Sequence, residues 1–375
     1  MLKILHLNPT KTWRGGEQQT LYLAKYLQNQ KEVEQILAGT YHSELQKECQ
    51  KRNIPYKSFP FWNELDVYSS YKLAEFLIKN QIQILHCHTA KAHSLGLLTK
   101  WFCEKKKYPI KLIISRRVDF SFKRTSFFHQ ISRWKYHSNL IDCYIAISEK
   151  VKSVLISDGI DPQKIEVIYS GIDLERYKKS TKTSKETLKK EFQITDEIII
   201  GNVAALVDHK DHETLILAAS ILKSQPLPKW KIIIVGDGEK KRDLQTLIRR
   251  HQLENEIILA GFRKNVFDFY QLFDIFAMSS KEEGLGTSIL DAMVFGLPIV
   301  ATNGGGIPEI VQHQKGGFIS PIRDSQKFAT HLKELILKPS IRKKMGRFNQ
   351  DFVKNFDYRI TGEKTLNLYK RLWQE

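Results

Sequence analysis

Short apolar runs alternate with amphipathic stretches along almost the whole chain. Residues 3–7, 33–38, 84–87, 112–115, 143–147 and 165–168 are apolar runs of strand length. Between them, residues 17–28, 69–80, 93–102, 126–137 and 149–156 place apolar side chains three and four apart, the spacing of a helix with one buried face. The second half repeats the scheme. Its strands are expected at 198–203, 231–235, 257–259, 275–278, 299–301 and 317–319, and its helices at 212–223, 240–251, 266–272, 287–295 and 326–337. Strands apolar on both faces, alternating with such helices, predict parallel sheets covered on both sides: the α/β, doubly wound class. A chain of 375 residues has room for two such domains. The stretch KKSTKTSKETLKK at 178–190 is lysine-rich without an apolar period, and predicts a linker or an exposed helix. The expected organisation is a Rossmann-like domain over 1–175, a linker over 176–192 and a second Rossmann-like domain over 193–356, followed by a last helix within 357–375.

The most informative chemistry lies at 279–311, SSKEEGLGTSILDAMVFGLPIVATNGGGIPEIV. Glu283 and Asp291 stand eight positions apart around Gly284, Leu285, Gly286, Thr287 and Ser288, with a second glycine cluster at Gly304, Gly305 and Gly306. The pattern turns helical at Thr287, with Thr287 or Ser288 as a natural cap. A helix start preceded by glycines offers unpaired backbone N–H groups and the positive end of the dipole, which suits a phosphate. Flanking carboxylates suit hydroxyl-rich groups, such as a sugar on one side and a ribose on the other.

This segment resembles the signature of the retaining glycosyltransferases of the GT-B fold, family 4, written E-x7-E followed by A-M-x-x-G-x-P-V. Asp291 stands where the family usually carries the second glutamate. The resemblance implies two Rossmann-like domains facing a central cleft, a C-terminal helix crossing back to the first domain, and metal-independent transfer from a nucleoside-diphosphate sugar with no cofactor required. It implies donor-binding roles for Gly15 and Gly16 in the loop Trp13-Arg14-Gly15-Gly16-Glu17, and for Lys210, Gly261, Arg263, Glu283, Leu285, Gly286, Thr287, Ser288 and Asp291. Lys210 and Glu283 are the implied catalytic residues. Glu17 and His88 fall on the implied acceptor side, with Arg116 and Arg117 where the family commonly has a histidine. Ala205 replaces an expected phosphate-binding arginine, and His209, Arg263 or Arg116 is the expected substitute. Gly236-Asp237-Gly238 and Tyr169-Ser170-Gly171-Ile172-Asp173 also resemble family segments, so the likeness extends over almost the whole chain.

The bare residues leave other readings open. Arg116 and Arg117 at a strand end predict a two-pronged phosphate clamp and an anionic acceptor, or a solvated basic loop. His86 and His88 face the same way on a strand, but no further ligand stands nearby in sequence, so no metal site is expected. Hydrophobic residues make up 42% and charged residues 27%, the composition of a soluble globular protein. The four cysteines show no C-x-x-C spacing and predict reduced thiols in the cytoplasm. The net charge is +18, and residues 100–135 hold eleven basic residues against two acidic, interleaved with Trp101, Phe120, Phe122, Phe127, Phe128 and Trp134. That mixture predicts contact with an anionic membrane surface, on the inner face of the plasma membrane, and an acceptor that is a saccharide or lipid-linked. No nucleic-acid recognition motif is present, and no G-x-G-x-x-G follows the first strand, which disfavours a dinucleotide oxidoreductase. The departures at Ala205 and Asp291 keep a non-catalytic nucleotide-binding scaffold as the alternative.

Overall fold

The computed structural model describes residues 1–121, 135–179 and 182–374. The chain divides into two compact units, Met1–Ile172 with Phe356–Glu375, and Asp173–Asn355.

The first unit is built on seven parallel strands, β1 (Leu2–Leu7), β2 (Val33–Thr40), β3 (Tyr56–Phe59), β4 (Ile84–Cys87), β5 (Lys111–Arg116), β6 (Cys143–Ala146) and β7 (Ile165–Val167). Their order is β3-β2-β1-β4-β5-β6-β7, so the winding reverses between β1 and β4. In open sheets of this kind, ligands bind beyond the strand carboxyl ends at the reversal. The register pairs Ile4 with Ile84 and His6 with His86. The last helix, Tyr358–Gln374, belongs to this unit, where Leu366, Leu368 and Tyr369 are buried with Ile4, Leu27, Ile84 and Ile113. Gly362 permits its close approach, because a Cβ there would stand 2.3 Å from Tyr26 Cγ. Strand β3 was not expected. It is a four-residue edge strand bonded only to β2, too short for its alternation to be seen.

The second unit has six parallel strands, β8 (Ile198–Val203), β9 (Trp230–Val235), β10 (Ile257–Gly261), β11 (Ile275–Met278), β12 (Ile299–Thr302) and β13 (Gly317–Ser320), in the order β10-β9-β8-β11-β12-β13. The reversal here falls between β8 and β11. Asn202 ties these two strands together, donating from Nδ2 to the Ala277 carbonyl at 2.8 Å. Ile200, Ile232, Ile234, Ala277 and Val300 form the core with Phe328 and Leu332.

Of the two readings of 178–190, a linker or an exposed helix, the helix forms: Lys182–Glu191 packs within the second unit on the Val266–Leu272 helix. Leu188 is buried there and Phe192 lies 5.9 Å from Phe269, an apolar contact that the surrounding lysines mask in the sequence. The Pro339–Phe352 helix was missed. It packs through Met345, with Ile341 against the same core, and Asn349 donates to the carbonyls of Leu297 at 2.8 Å and Gly316 at 2.7 Å; Ile341, Met345, Phe348 and Phe352 carry its helical period in the sequence. The helix expected at 126–137 lies, over 126–134, outside the described residues, as do Phe122, Lys123, Arg124, Phe127, Phe128, Arg133 and Trp134.

Candidate active site

In the second unit, the loop after β11 carries Glu283 and the loop after β8 carries Lys210. Their side chains form an ion pair, with 17% of the Lys210 side chain and 15% of the Glu283 side chain exposed. Ser280 Oγ lies 3.4 Å from the same Glu283 oxygen. The two loops are laced together: Lys281 N–H donates to the His209 carbonyl at 2.8 Å, Ser279 Oγ to the Lys210 carbonyl at 3.3 Å, and Lys281 pairs with Asp208 at 2.7 Å. The second glycine cluster shapes the Glu283 loop from below. Gly306 N–H donates to the Glu283 carbonyl at 2.7 Å, and a Cβ on Gly304 would stand 2.1 Å from the Ser280 carbonyl oxygen.

The Thr287–Val294 helix begins directly after this loop. Its cap is Gly286, at φ +93°, and not Thr287 or Ser288 as expected; Thr287 is already the first helical residue. Glycine is required because the cap is left-handed, and with no side chain at that position the first turn has no side-chain cap. Leu285 is buried and anchors the loop. Asp291, one turn further on, is half-buried and accepts a hydrogen bond from the Tyr177 hydroxyl. Burial raises its pKa to about 6, against the opposing pull of that bond and of Arg176. Tyr270 steadies the same turn through the Ser288 carbonyl at 3.1 Å.

The other donor-side candidates divide. Gly261, at φ +71°, ends β10 and accepts from Gly236 N–H at 2.9 Å. Arg263 beside it is held by Glu191 at 2.5 Å and by the Ala260 carbonyl at 3.0 Å. Its guanidinium is therefore occupied within the fold, an arrangement that weakens its case as the substitute for the arginine absent at Ala205.

In the first unit, three loops meet beyond β1, β4 and β5. Gly15 opens the Gly15–Leu27 helix, and Glu17 accepts from Arg14 N–H at 2.9 Å and from Asn8 Nδ2 at 3.3 Å. Glu17 is buried, so its carboxylate secures the helix start. His88 follows β4, and its ring lies 4.0 Å from that of His86, as strand alternation predicts. The fold adds a third ring that sequence reasoning missed. His6 Nδ1 and His88 Nε2 are 3.0 Å apart, while His86 reaches Tyr369 Oη through Nδ1 at 2.5 Å and Ser115 Oγ through Nε2 at 2.8 Å. One ligand atom from each of the three histidines lies within 4.8 Å of the others, the ligand count that spacing alone did not supply. Both nitrogens of His86 already have partners, so the cluster works as a hydrogen-bond network. Burial pulls His6 down to about 3 and holds His86 and His88 well below the ordinary histidine value, so all three rings are neutral at physiological pH.

The expected two-arginine clamp does not form. Consecutive residues leave a strand on opposite faces. Arg116 donates to the Tyr136 hydroxyl and to the Phe120 carbonyl at 2.7 Å, with its guanidinium over both rings. Arg117 turns the other way, toward His88 and Ser170, each at 3.5 Å. Ser170 is held there because Gln19 exchanges hydrogen bonds with the backbone of Gly171, at 2.7 and 3.2 Å.

The chain matches two family models, Glycosyltransferase Family 4 over residues 13–176 and Glycosyl transferases group 1 over residues 184–352. It is similar to the glycosyltransferase EpsD of Bacillus subtilis, 27% identical over 85% of this chain and 84% of the relative. The N-acetyl-alpha-D-glucosaminyl L-malate synthase of Bacillus anthracis is 26% identical over 81% of this chain and 77% of its own. Among solved structures, HepE of Anabaena in complex with UDP-glucose superposes with a TM-score of 0.85 at 21% identity, covering 99% of this chain and 100% of that one.

Proposed function

The chain belongs to glycosyltransferase family 4, and from that membership we propose a retaining, metal-independent transfer from a nucleoside-diphosphate sugar to a hydroxyl of a saccharide or lipid-linked acceptor. The observation that carries this reading is the Lys210–Glu283 pair beside a helix start without a side-chain cap. A diphosphate arriving at that start competes with Glu283 for Lys210. Lys210 then neutralises the leaving group, and Glu283 is released to accept hydrogen bonds from the sugar hydroxyls. Leu285, Gly286, Thr287 and Ser288 shape the phosphate seat, Asp291 takes the ribose, and Gly261 and Arg263 border the base. Gly15 and Gly16 add backbone N–H groups for the diphosphate, while Glu17, His88 and Arg117 serve the acceptor side. In the reaction, the bond from the sugar's anomeric carbon to the phosphate oxygen breaks and a bond to the acceptor oxygen forms on the same face. The acceptor proton passes to the departing phosphate oxygen.

HepE is solved in complex with UDP-glucose, and another relative, from Escherichia coli, is a UDP-Gal:alpha-D-GlcNAc-diphosphoundecaprenol alpha-1,3-galactosyltransferase. The first supports an activated-sugar donor, and the second a lipid-linked saccharide acceptor. A peripheral membrane role is supported by the exposed Trp62, Leu65, Tyr68 and Trp101 of the first unit, with Lys105 Nζ 5.6 Å from the Trp101 ring. Among the described residues, no helix is long and apolar enough to cross a membrane. Sedimentation with anionic liposomes at low and high salt tests this, and absence of binding at both counts against it. For the activity, a panel of labelled activated sugars identifies the donor. Glu283→Ala and Lys210→Ala each remove transfer while the circular dichroism spectrum is kept; near-normal turnover in both refutes the reading.

A further inference from the structure

Arg117 is a cation without a contact ion pair. Among the described residues, no carboxylate lies within ion-pair distance of it. Its two terminal nitrogens reach only Ser170 Oγ and His88 Nδ1, each at 3.5 Å, and its Nε is shielded from solvent with no partner. Glu17 is the carboxylate that attracts it electrostatically, yet both Glu17 oxygens are bound to Asn8 and Arg14. The surrounding histidines are neutral. Burial lowers the Arg117 pKa to about 10, which leaves it charged at physiological pH. Arg117 is half-buried, and with Glu17 attracting it from beyond contact distance, an anion that completes its hydrogen-bond shell is favoured.

The direction of approach is also set. On one side, Gln19, His86, Ser115, Arg117 and Ser170 line a cavity of about 20 Å³, the size of one water molecule and too small for an acceptor. On the other, the Arg117 stem passes Gly16, 3.8 Å from where a Cβ would stand, and no atom comes within 4 Å of a Cβ position on Gly15. Resting on the glycosyltransferase reading, we propose that Arg117 receives an anionic group, a carboxylate or a phosphate, carried by the acceptor, and so selects acidic acceptors over neutral ones. Arg116, already engaged with Tyr136 and Phe120, takes no part.

The test is a calorimetric titration of the full chain, which needs no turnover. The probes are a glucuronic-acid disaccharide, its methyl ester, and the parent disaccharide bearing a 6-phosphate. The wild-type protein is expected to bind the acid or the phosphate about tenfold to a hundredfold more tightly than the ester, the range of a charge-assisted hydrogen bond. The arm with the larger ratio identifies the anion. Arg117→Gln reduces that ratio to near one while ester binding persists, which also reports a folded protein, and Arg117→Lys restores part of it. Equal binding of acid, phosphate and ester by the wild type overturns the proposal. So does an Arg117→Gln variant that keeps the ratio but loses UDP affinity, which would assign the guanidinium to the donor. Loss of UDP, GDP and ADP binding is instead the failure of the glycosyltransferase reading, and is measured separately.

Discussion

Tyr369 in the last helix and His86 at the end of β4 share a hydrogen bond of 2.5 Å across 283 positions of sequence. The same imidazole holds Ser115 on the next strand, so the last helix is bonded directly to the strand ends from which His88 and Arg117 follow.

Tyr369→Phe removes that bond and strands a buried ring nitrogen. The expected loss is about 1–3 kcal/mol from the first unit, the usual cost of an orphaned buried polar group. Urea unfolding followed by a probe placed in that unit measures it. An unchanged midpoint would mean that the bond contributes nothing to docking the helix.

Gly286→Ala puts a side chain on a left-handed cap, 3.3 Å from Ile289 Cδ1 and 3.4 Å from Glu283 Cγ. The backbone strain costs roughly 1 kcal/mol. Because the new methyl presses on Glu283, transfer should fall well beyond what the lost stability explains. Equal, small losses in turnover and melting temperature would separate Gly286 from the positioning of Glu283.

Asp291 holds its proton up to a pH of about 6 and is ionised above it. A ribose contact made by the carboxylate therefore strengthens as pH rises. Affinity for the cognate nucleoside diphosphate is expected to increase several-fold between pH 5 and 7, and Asp291→Asn should flatten the curve. A wild-type profile equally flat would remove Asp291 from the ribose.

Acid should destabilise the fold early. Burial holds His6 at about 3, His212 at about 4, and His86, His88 and His93 well below the ordinary histidine value. Between those values and about 6.5, the unfolded chain binds protons that the folded chain refuses. Their contribution is thus complete above pH 6.5 and is lost as pH falls, each histidine adding a slope of up to about 1.4 kcal/mol per pH unit. Asp291, between about 4 and 6, and Asp211 act in the opposite sense, but the lowered histidines, His331 among them, outnumber them. Melting temperatures at pH 7.5 and 5.5 should differ by many degrees; coincident values would contradict the buried, neutral rings.

Much of this architecture was legible in advance because it is written in short-range pattern. Twelve of the thirteen strands are apolar runs that need no partner to be recognised, and only the edge strand β3 escaped. Glu283 and Asp291 fall on one loop and its helix, a placement their spacing in the sequence already gives. The Lys182–Glu191 helix stayed open against a linker because one buried leucine sits among lysines, and the Pro339–Phe352 helix was missed although Ile341, Met345, Phe348 and Phe352 recur at helical spacing. Even the divergence of Arg116 and Arg117 was implicit in strand alternation, although adjacency in the sequence suggested a pair.

The sequence by itself determined two doubly wound units, the glycine-led helix starts and the acid pair around one of them, since helix and strand periods and turn chemistry act over a few residues. Only the tertiary structure decided that His6 joins His86 and His88, that Tyr369 returns to His86, that Tyr177 reaches Asp291 from 114 residues away, and that Arg117 Nε is left without a partner. Those relationships depend on which strands become neighbours and which face each side chain takes, and neither is set until the whole core packs.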